Sequence, residues 1–149
     1  MLLIREAELH AMRRHAEAEY PNECCGVLLG GSDGEQRTVR SMMQCDNAVS
    51  ERQRDRYSID PKELVRIQRQ ARESGQEIVG FYHSHPDCEA QWSQTDLAEA
   101  HWIGCSYVIV SVGLGRAGET RSFVLTGSVE EDKKFVEEEL KSVADEIPV

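Results

Sequence analysis

Glu77-Ile78-Val79-Gly80-Phe81-Tyr82-His83-Ser84-His85-Pro86, followed by Ser93-Gln94-Thr95-Asp96, is the stretch on which the reading of this chain turns. Its apolar run, 78–82, is of strand length and is bounded by Gly75 and Pro86. The strand ends in two histidines two residues apart, so both imidazoles leave one face, with roots about 7 Å apart. Side chains that close together can converge on one ion. The pair by itself is a modest signal, because two histidines on a strand can equally be structural. Asp96 strengthens it. After Pro86 turns the chain, Asp96 falls in the first turn of the next predicted helix, where a carboxylate completes a His2Asp set with an open fourth position. That is the arrangement of a catalytic zinc, one per chain, in contrast to a closed structural site. A zinc ion there would make water acidic near pH 7 and polarise a carbonyl. Ser93 has two compatible readings. It is an N-cap with an acid at N3, and a hydroxyl fixed by that cap can also face a developing oxyanion. Ser84, between the histidines, points to the other face and reads as structural.

Working outward, the turn 30–34, with Gly30-Gly31 and Ser32-Asp33-Gly34, joins a buried strand over 24–29 to a second near 37–44, a hairpin. A short strand at Leu2-Leu3-Ile4 precedes a helix over 6–19, stopped by Pro21-Asn22. A strand is expected at 56–59. Asp60-Pro61-Lys62-Glu63 then starts a helix, with Asp at the N-cap, Pro at N1 and Glu at N3, running to about Ser74 with Gly75 as its stop. Beyond the loop 86–92, the pattern predicts a helix over 94–101, strands near 107–112 and 120–125, and a last helix opened by Glu130, Glu131 and Asp132 that runs towards Ala144, ahead of a tail to Val149. At 149 residues, with no repeat or linker, the expectation is one domain over 1–149, its core over about 1–135.

Composition narrows the function. The chain is 40% hydrophobic, 30% charged and 6% aromatic, as soluble globular proteins are. No apolar run reaches the ~18 residues of a membrane span, and charge enters at Arg5, too early for a signal peptide, so the expected place is the cytoplasm with no membrane partner. A net charge of −10 argues against nucleic acid as a partner. Five cysteines form no C-x-x-C pair. In a reducing compartment Cys24 and Cys25 read as small buried residues on opposite strand faces. Cys88, in the 86–92 loop, is open to three readings: a free thiol, an ion ligand, or a bond to Cys105. His10, His15 and His101 read as surface or helix-end histidines. Arg52, Arg54 and Arg56 read as a solvated loop that could meet an acidic partner.

The histidine stretch resembles the JAMM (MPN-plus) metalloproteases, which cleave peptide or isopeptide bonds at the tails of ubiquitin-like proteins. His83-Ser84-His85-Pro86, Ser93 and Asp96 reproduce that family's signature without a gap, and Pro21-Asn22-Glu23-Cys24-Cys25-Gly26-Val27-Leu28-Leu29-Gly30 matches its upstream glutamate before a small-residue apolar strand. By composition alone Glu23 would be a surface carboxylate. The resemblance makes it the general base that takes a proton from the attacking water and passes it to the leaving amine. It also implies the fold, an α/β (α+β) MPN domain with a curved mixed sheet flanked by helices and a cytidine-deaminase-like architecture. The likeness covers nearly the whole chain, from Met1 to about Phe135, including Tyr57-Ser58-Ile59-Asp60-Pro61, and is to short bacterial members that act on ubiquitin-like sulfur-carrier proteins with a Gly-Gly end, releasing an amino acid such as cysteine. Trp92 stands where the family commonly has proline. It either packs or touches a substrate tail. Whether the chain forms a homodimer is left open.

Other classes fit less well. Amidohydrolase barrels need about 250 residues. A zinc deaminase needs a glutamate two residues after its histidine, where His83 has His85, and a downstream Pro-Cys-x-x-Cys run, which is absent. A DNA-repair-associated branch of the same family shares the histidines, but this chain's acidity and glutamate-bearing strand favour the protease reading. Two alternatives stay closer: an isopeptidase of the desampylase or deubiquitinase kind, and a non-catalytic module that binds ubiquitin-like proteins. Such modules lose ligands, and none is lost here.

Overall fold

A computed structural model describes residues 1–144, so the tail to Val149 lies outside the described residues. In chain order the elements are β1 (Leu2–Arg5), α1 (Glu6–Glu19), β2 (Cys25–Asp33), β3 (Gln36–Cys45), α2 (Pro61–Glu73), β4 (Glu77–Pro86), α3 (Gln94–Glu99), β5 (Ser106–Gly113), β6 (Arg116–Thr126), β7 (Lys134–Glu138) and β8 (Leu140–Val143). The strands form one curved mixed sheet in the order β7-β6-β5-β4-β2-β3-β1-β8. β4 lies near its centre, antiparallel to β2 and parallel to β5. Such a strand is buried on both faces and reads as a continuous apolar run, as 78–82 does. The α+β class and the curved, helix-flanked sheet are those expected.

Each face of the sheet carries its own core. Leu2, Ile4, Leu28, Val39, Tyr82 and Val108 pack with Met12 and Ala16 of α1. Cys25, Val27, Phe81, Tyr107 and Phe123 pack with Ile67 and Ala71 of α2 on the other face. Cys24 and Cys25 therefore do divide between the faces, and Cys24, Cys25, Cys45, Cys88 and Cys105 are all free, so no Cys88–Cys105 bond forms. α2 begins as expected, with the Asp60 side chain accepting from Lys62 N at 2.9 Å, and Gly75 ends the helical segment in the left-handed region at φ 71°. Gly26 has no alternative. A Cβ there would lie 2.1 Å from the ring of Tyr82, whose hydroxyl meets His15 Nδ1 at 2.8 Å.

That contact corrects one expectation. His15 is buried under the sheet, edge-on to Tyr82, and burial lowers its pKa. Its helical position is visible in sequence, but the partner that makes burial tolerable lies 67 residues away. Three elements also differ. The segment 56–59 is not a strand, because Asn47 satisfies its backbone by side chain: Asn47 Oδ1 accepts from Ser58 N at 3.2 Å and Asn47 Nδ2 donates to Arg56 O at 2.9 Å. α3 stops at Glu99, short of His101.

The helix expected over 130–144 is a single 3₁₀ turn, Glu130–Asp132, followed by β7 and β8. Asp132 Oδ1 accepts from the backbone N–H groups of Ser128 and Val129, closing that turn on itself. Phe135 then packs against Trp92, Tyr107 and Phe123, while β7 adds to the edge of β6. Sheet pairing outweighs a helical charge pattern with little apolar periodicity.

The strand choice also brings Glu138 inward. Its carboxylate accepts from Ser106 Oγ at 2.6 Å, Ser122 Oγ at 2.7 Å and Arg37 Nη2 at 3.0 Å. Burial alone would raise its pKa, but the two hydroxyls, the N-terminal ammonium at 3.1 Å and the guanidinium outweigh it and hold the group below its ordinary value. The stabilisation is complete above the unfolded-state carboxylate range and is lost as pH falls through the depressed folded value. Replacing Glu138 by Gln is expected to cost about 3 kcal/mol at pH 7, as for a broken buried ion pair. Denaturant titrations from pH 7 to 3 should show the wild type losing stability on acidification more steeply than E138Q.

Candidate metal centre

β4 delivers His83 and His85 to the α2 face at the end of the sheet, both buried. α3 brings Asp96 back across them. Its start is fixed by a reciprocal cap, with Asp96 N donating to Ser93 Oγ at 3.0 Å and Ser93 N donating to Asp96 Oδ2 at 2.9 Å. His83 Nε2 lies 3.3 Å from Asp96 Oδ1, and His85 Nε2 lies 3.1 Å from both Asp96 Oδ2 and His83 Nε2. One ligand atom from each residue falls within 4.8 Å of the others.

The protonation pattern shows what this cluster is suited to hold. His85 Nδ1 is 2.9 Å from the carbonyl oxygen of Glu89, which accepts a hydrogen bond from that nitrogen and leaves the Nε2 lone pair directed at the cluster. A lone pair facing a carboxylate in a buried pocket requires a cation between or upon them, either a proton or a metal. Burial opposes charging of His85, but the hydrogen bond and charge of Asp96 raise its pKa. Deeper burial prevails at His83 and lowers it, despite Asp96. Asp96, which burial would raise, is held well below the carboxylate range by His83 and His85. Two imidazoles and an anionic carboxylate, converging from a strand and a helix, are a donor set that fits zinc.

Glu23 joins them through strand register. Cys25 lies opposite His83, and Ser84 N donates to Cys24 O at 3.2 Å, so the antiparallel pairing carries Glu23 towards His85. It is only 4% exposed, and its Oε1 has no partner among the described residues. Burial, then the charges of Asp96, Asp55 and Glu99, push its pKa up to about 9. A desolvated, unpaired carboxylate next to three convergent donor groups is the kind of group that acid–base chemistry can use. The Ser84 hydroxyl faces away and accepts from Cys24 N at 2.8 Å.

Two further residues hold the site, and neither was singled out from sequence. Tyr57 stacks on the His83 ring, centroids 4.4 Å apart and planes 20° apart. Because His83 Nδ1 has no hydrogen-bond partner among the described residues, this stacking is the ring's lateral support. Asn47 uses its whole amide. Besides the bonds to Arg56 and Ser58, Nδ2 donates to Glu23 O at 3.4 Å and Oδ1 accepts from Val49 N at 3.1 Å. An asparagine after a strand, ahead of a tyrosine before a helix cap, was the available signal. Trp92, the candidate substrate contact, is half-buried against Phe135 at 5.6 Å, which supports packing. His10 and His101 are exposed, and Cys88 is exposed in its loop. Among the described residues no helix is long and apolar enough to cross a membrane.

Comparison with known proteins gives the same direction. A family model described as prokaryotic homologs of the JAB domain matches residues 5–126. A protein of Haloferax volcanii named desampylase is 40% identical over 107 residues, 72% of this chain and 75% of that one. A protein of Mycobacterium bovis named CysO-cysteine peptidase is 34% identical over 142 residues, 93% of each chain. Among solved structures, a JAB1/MPN domain protein from Archaeoglobus fulgidus superposes with a TM-score of 0.59 over 96% of this chain and 99% of that one, at 17% identity, a likeness of fold.

Removing one of three ligands from so small a cluster should abolish tight metal binding. Protein purified without chelators is expected to carry close to one divalent metal per chain, and D96N to carry almost none, as read by elemental mass spectrometry; equal metal in both would contradict the assignment of Asp96.

Proposed function

The chain belongs to the prokaryotic JAB (JAB/MPN) domain family, and from that premise we propose that it is a cytoplasmic zinc-dependent metallopeptidase, a single domain over 1–149, that hydrolyses the peptide bond after the C-terminal Gly-Gly of a ubiquitin-like sulfur-carrier protein and releases an amino acid such as cysteine. The observation that carries the proposal is the placement of a buried, unpaired Glu23 beside the converging Nε2 and carboxylate atoms of His83, His85 and Asp96. The substrate class is supported by the names of the two relatives, of which the CysO-cysteine peptidase matches over nearly the full length of both chains.

His83, His85 and Asp96 hold the zinc in this reading. When bound, the ion supplies a Lewis acid that polarises the scissile carbonyl, acidifies water and offsets the charge of Asp96 that Glu23 otherwise feels. Glu23 takes the proton of the attacking water and delivers it to the leaving nitrogen, which otherwise departs as an unstable anion. Its dry surroundings keep its proton affinity high enough to accept that proton. Ser93 Oγ accepts from Asp96 N, so its own O–H remains to donate to the oxyanion as the carbonyl becomes tetrahedral. Tyr57 and Asn47 keep the His83 ring and the Glu23 backbone in place.

An isopeptidase acting on conjugated ubiquitin-like proteins is the second reading, favoured by the desampylase relative with the higher identity over a shorter match. Intact-mass measurement of a Gly-Gly-ended carrier bearing one added amino acid separates the two. Loss of that residue's mass on incubation is the expected outcome; an unchanged mass, with release of an isopeptide-linked carrier instead, favours the second. The same assay with E23Q should show turnover reduced by about 10²–10⁴, with the metal content retained.

A further inference from the structure

Arg52 and Arg56 stand in a loop whose place is set by the site itself. Glu23 N donates to Gln53 O at 2.6 Å, between the two arginines, and the next residue after Arg56 is Tyr57, stacked on His83. Arg52 lies in the left-handed region at φ 60°, and its carbonyl accepts from Asp55 N at 3.1 Å and Arg56 N at 2.9 Å. A non-glycine residue held there marks a loop whose shape is imposed by its surroundings. The loop forms one wall of a cleft of about 510 Å³ whose other wall is Ser93, Thr95 and Ala98, on the segment that carries Asp96. Across the cleft the Arg56 guanidinium pairs with Glu99, and Arg52 pairs with Asp55 at 2.6 Å. Arg56 and Glu99 also line a second, more apolar cavity of about 450 Å³ bounded by Tyr57, Phe81 and Tyr107, so this pair stands between the two spaces.

Two arginines line this cleft, each already opposite one carboxylate, Asp55 for Arg52 and Glu99 for Arg56. Among the described residues each guanidinium makes one hydrogen bond, to a carboxylate, and both side chains are well exposed, 66% for Arg52 and 43% for Arg56. A guanidinium has five donors, and an exposed ion pair contributes little, so a second carboxylate can be bound or exchanged at small cost. A planar carboxylate meets the arginine fork with two parallel bonds.

We propose that Arg52 and Arg56 form a carboxylate subsite that recognises the free α-carboxylate of the single residue lying beyond the scissile bond. The inference rests on the peptidase reading above and deepens it: a carboxylate one residue past the cleaved bond exists only in a substrate extended by one amino acid. A lysine linked through its side chain within a protein presents no such group. The two arginines thereby select removal of a terminal residue over cleavage of a conjugate.

A ubiquitin-like carrier extended by one cysteine after its Gly-Gly, made both as the free acid and as the C-terminal carboxamide, tests this with the full-length, metal-loaded protein. The wild type is expected to favour the acid by about tenfold in kcat/KM, mainly through KM, the scale of one charge-assisted contact. R56Q and R52Q should each bring the acid-to-amide ratio towards one, and R56K should keep part of the preference, since it retains the charge without the fork. Equal wild-type rates on acid and amide, or variants that slow both forms alike, would overturn the subsite and leave tail hydrolysis standing. Cleavage of neither form by the wild type would overturn both.

Discussion

The antiparallel register of β2 on β4 is the constraint from which the site follows. With Cys25 opposite His83, the segment entering β2 must run past the end of β4, and Glu23 has nowhere to go but the buried space beside His85. Sliding that pairing by one residue would turn His83 and His85 into the α1 core and expose Ser84 in their place. The register is in turn held by packing that leaves no slack. The Tyr82 ring lies over Gly26, and its hydroxyl is anchored to His15. A polar contact on one face of the sheet thus helps fix the geometry on the other.

Around this frame, charge and desolvation oppose each other at each group. Burial would neutralise Asp96, yet two imidazoles keep it anionic; burial keeps His83 neutral; Glu23, with no such partner, is displaced furthest towards protonation. Neighbouring groups are therefore biased towards different protonation states by their surroundings. The imidazoles and the Asp96 carboxylate converge as donor groups, and Glu23, with its pKa raised by burial, has a high affinity for a proton. The supporting contacts are local to the backbone. Asn47 links the loop of Arg56 and Ser58 to Glu23, and Tyr57 at the end of that loop covers the His83 ring. The loop, Glu23 and His83 consequently hold their positions together.

Sequence reasoning was strongest where the physics is local. The period of two in His83-Ser84-His85, the cap formed by Ser93 and Asp96, and the Asp60-Pro61 helix start each depend on neighbours within a few residues, and each is found as expected in the structure. It was weakest where a distant partner decides. The acidic segment 130–138 has the charge pattern of a helix start, but the exposed edge of β6 and the aromatic cluster at Phe135 draw it into a strand. His15 resembles a surface histidine until Tyr82 is placed above it.

By itself, then, the sequence determined the spacing that brings His83, His85 and Asp96 together and the order of the central elements, because strand alternation and helix capping are written in short-range spacing. Only the tertiary structure decided that Glu23 is dry and unpaired, that Tyr57 and Asn47 belong to the site, that Trp92 packs against Phe135, and that Arg52 and Arg56 face the same cleft as Ser93. Burial and electrostatic surroundings are set by residues from separate parts of the chain, and spacing along one segment carries no record of them.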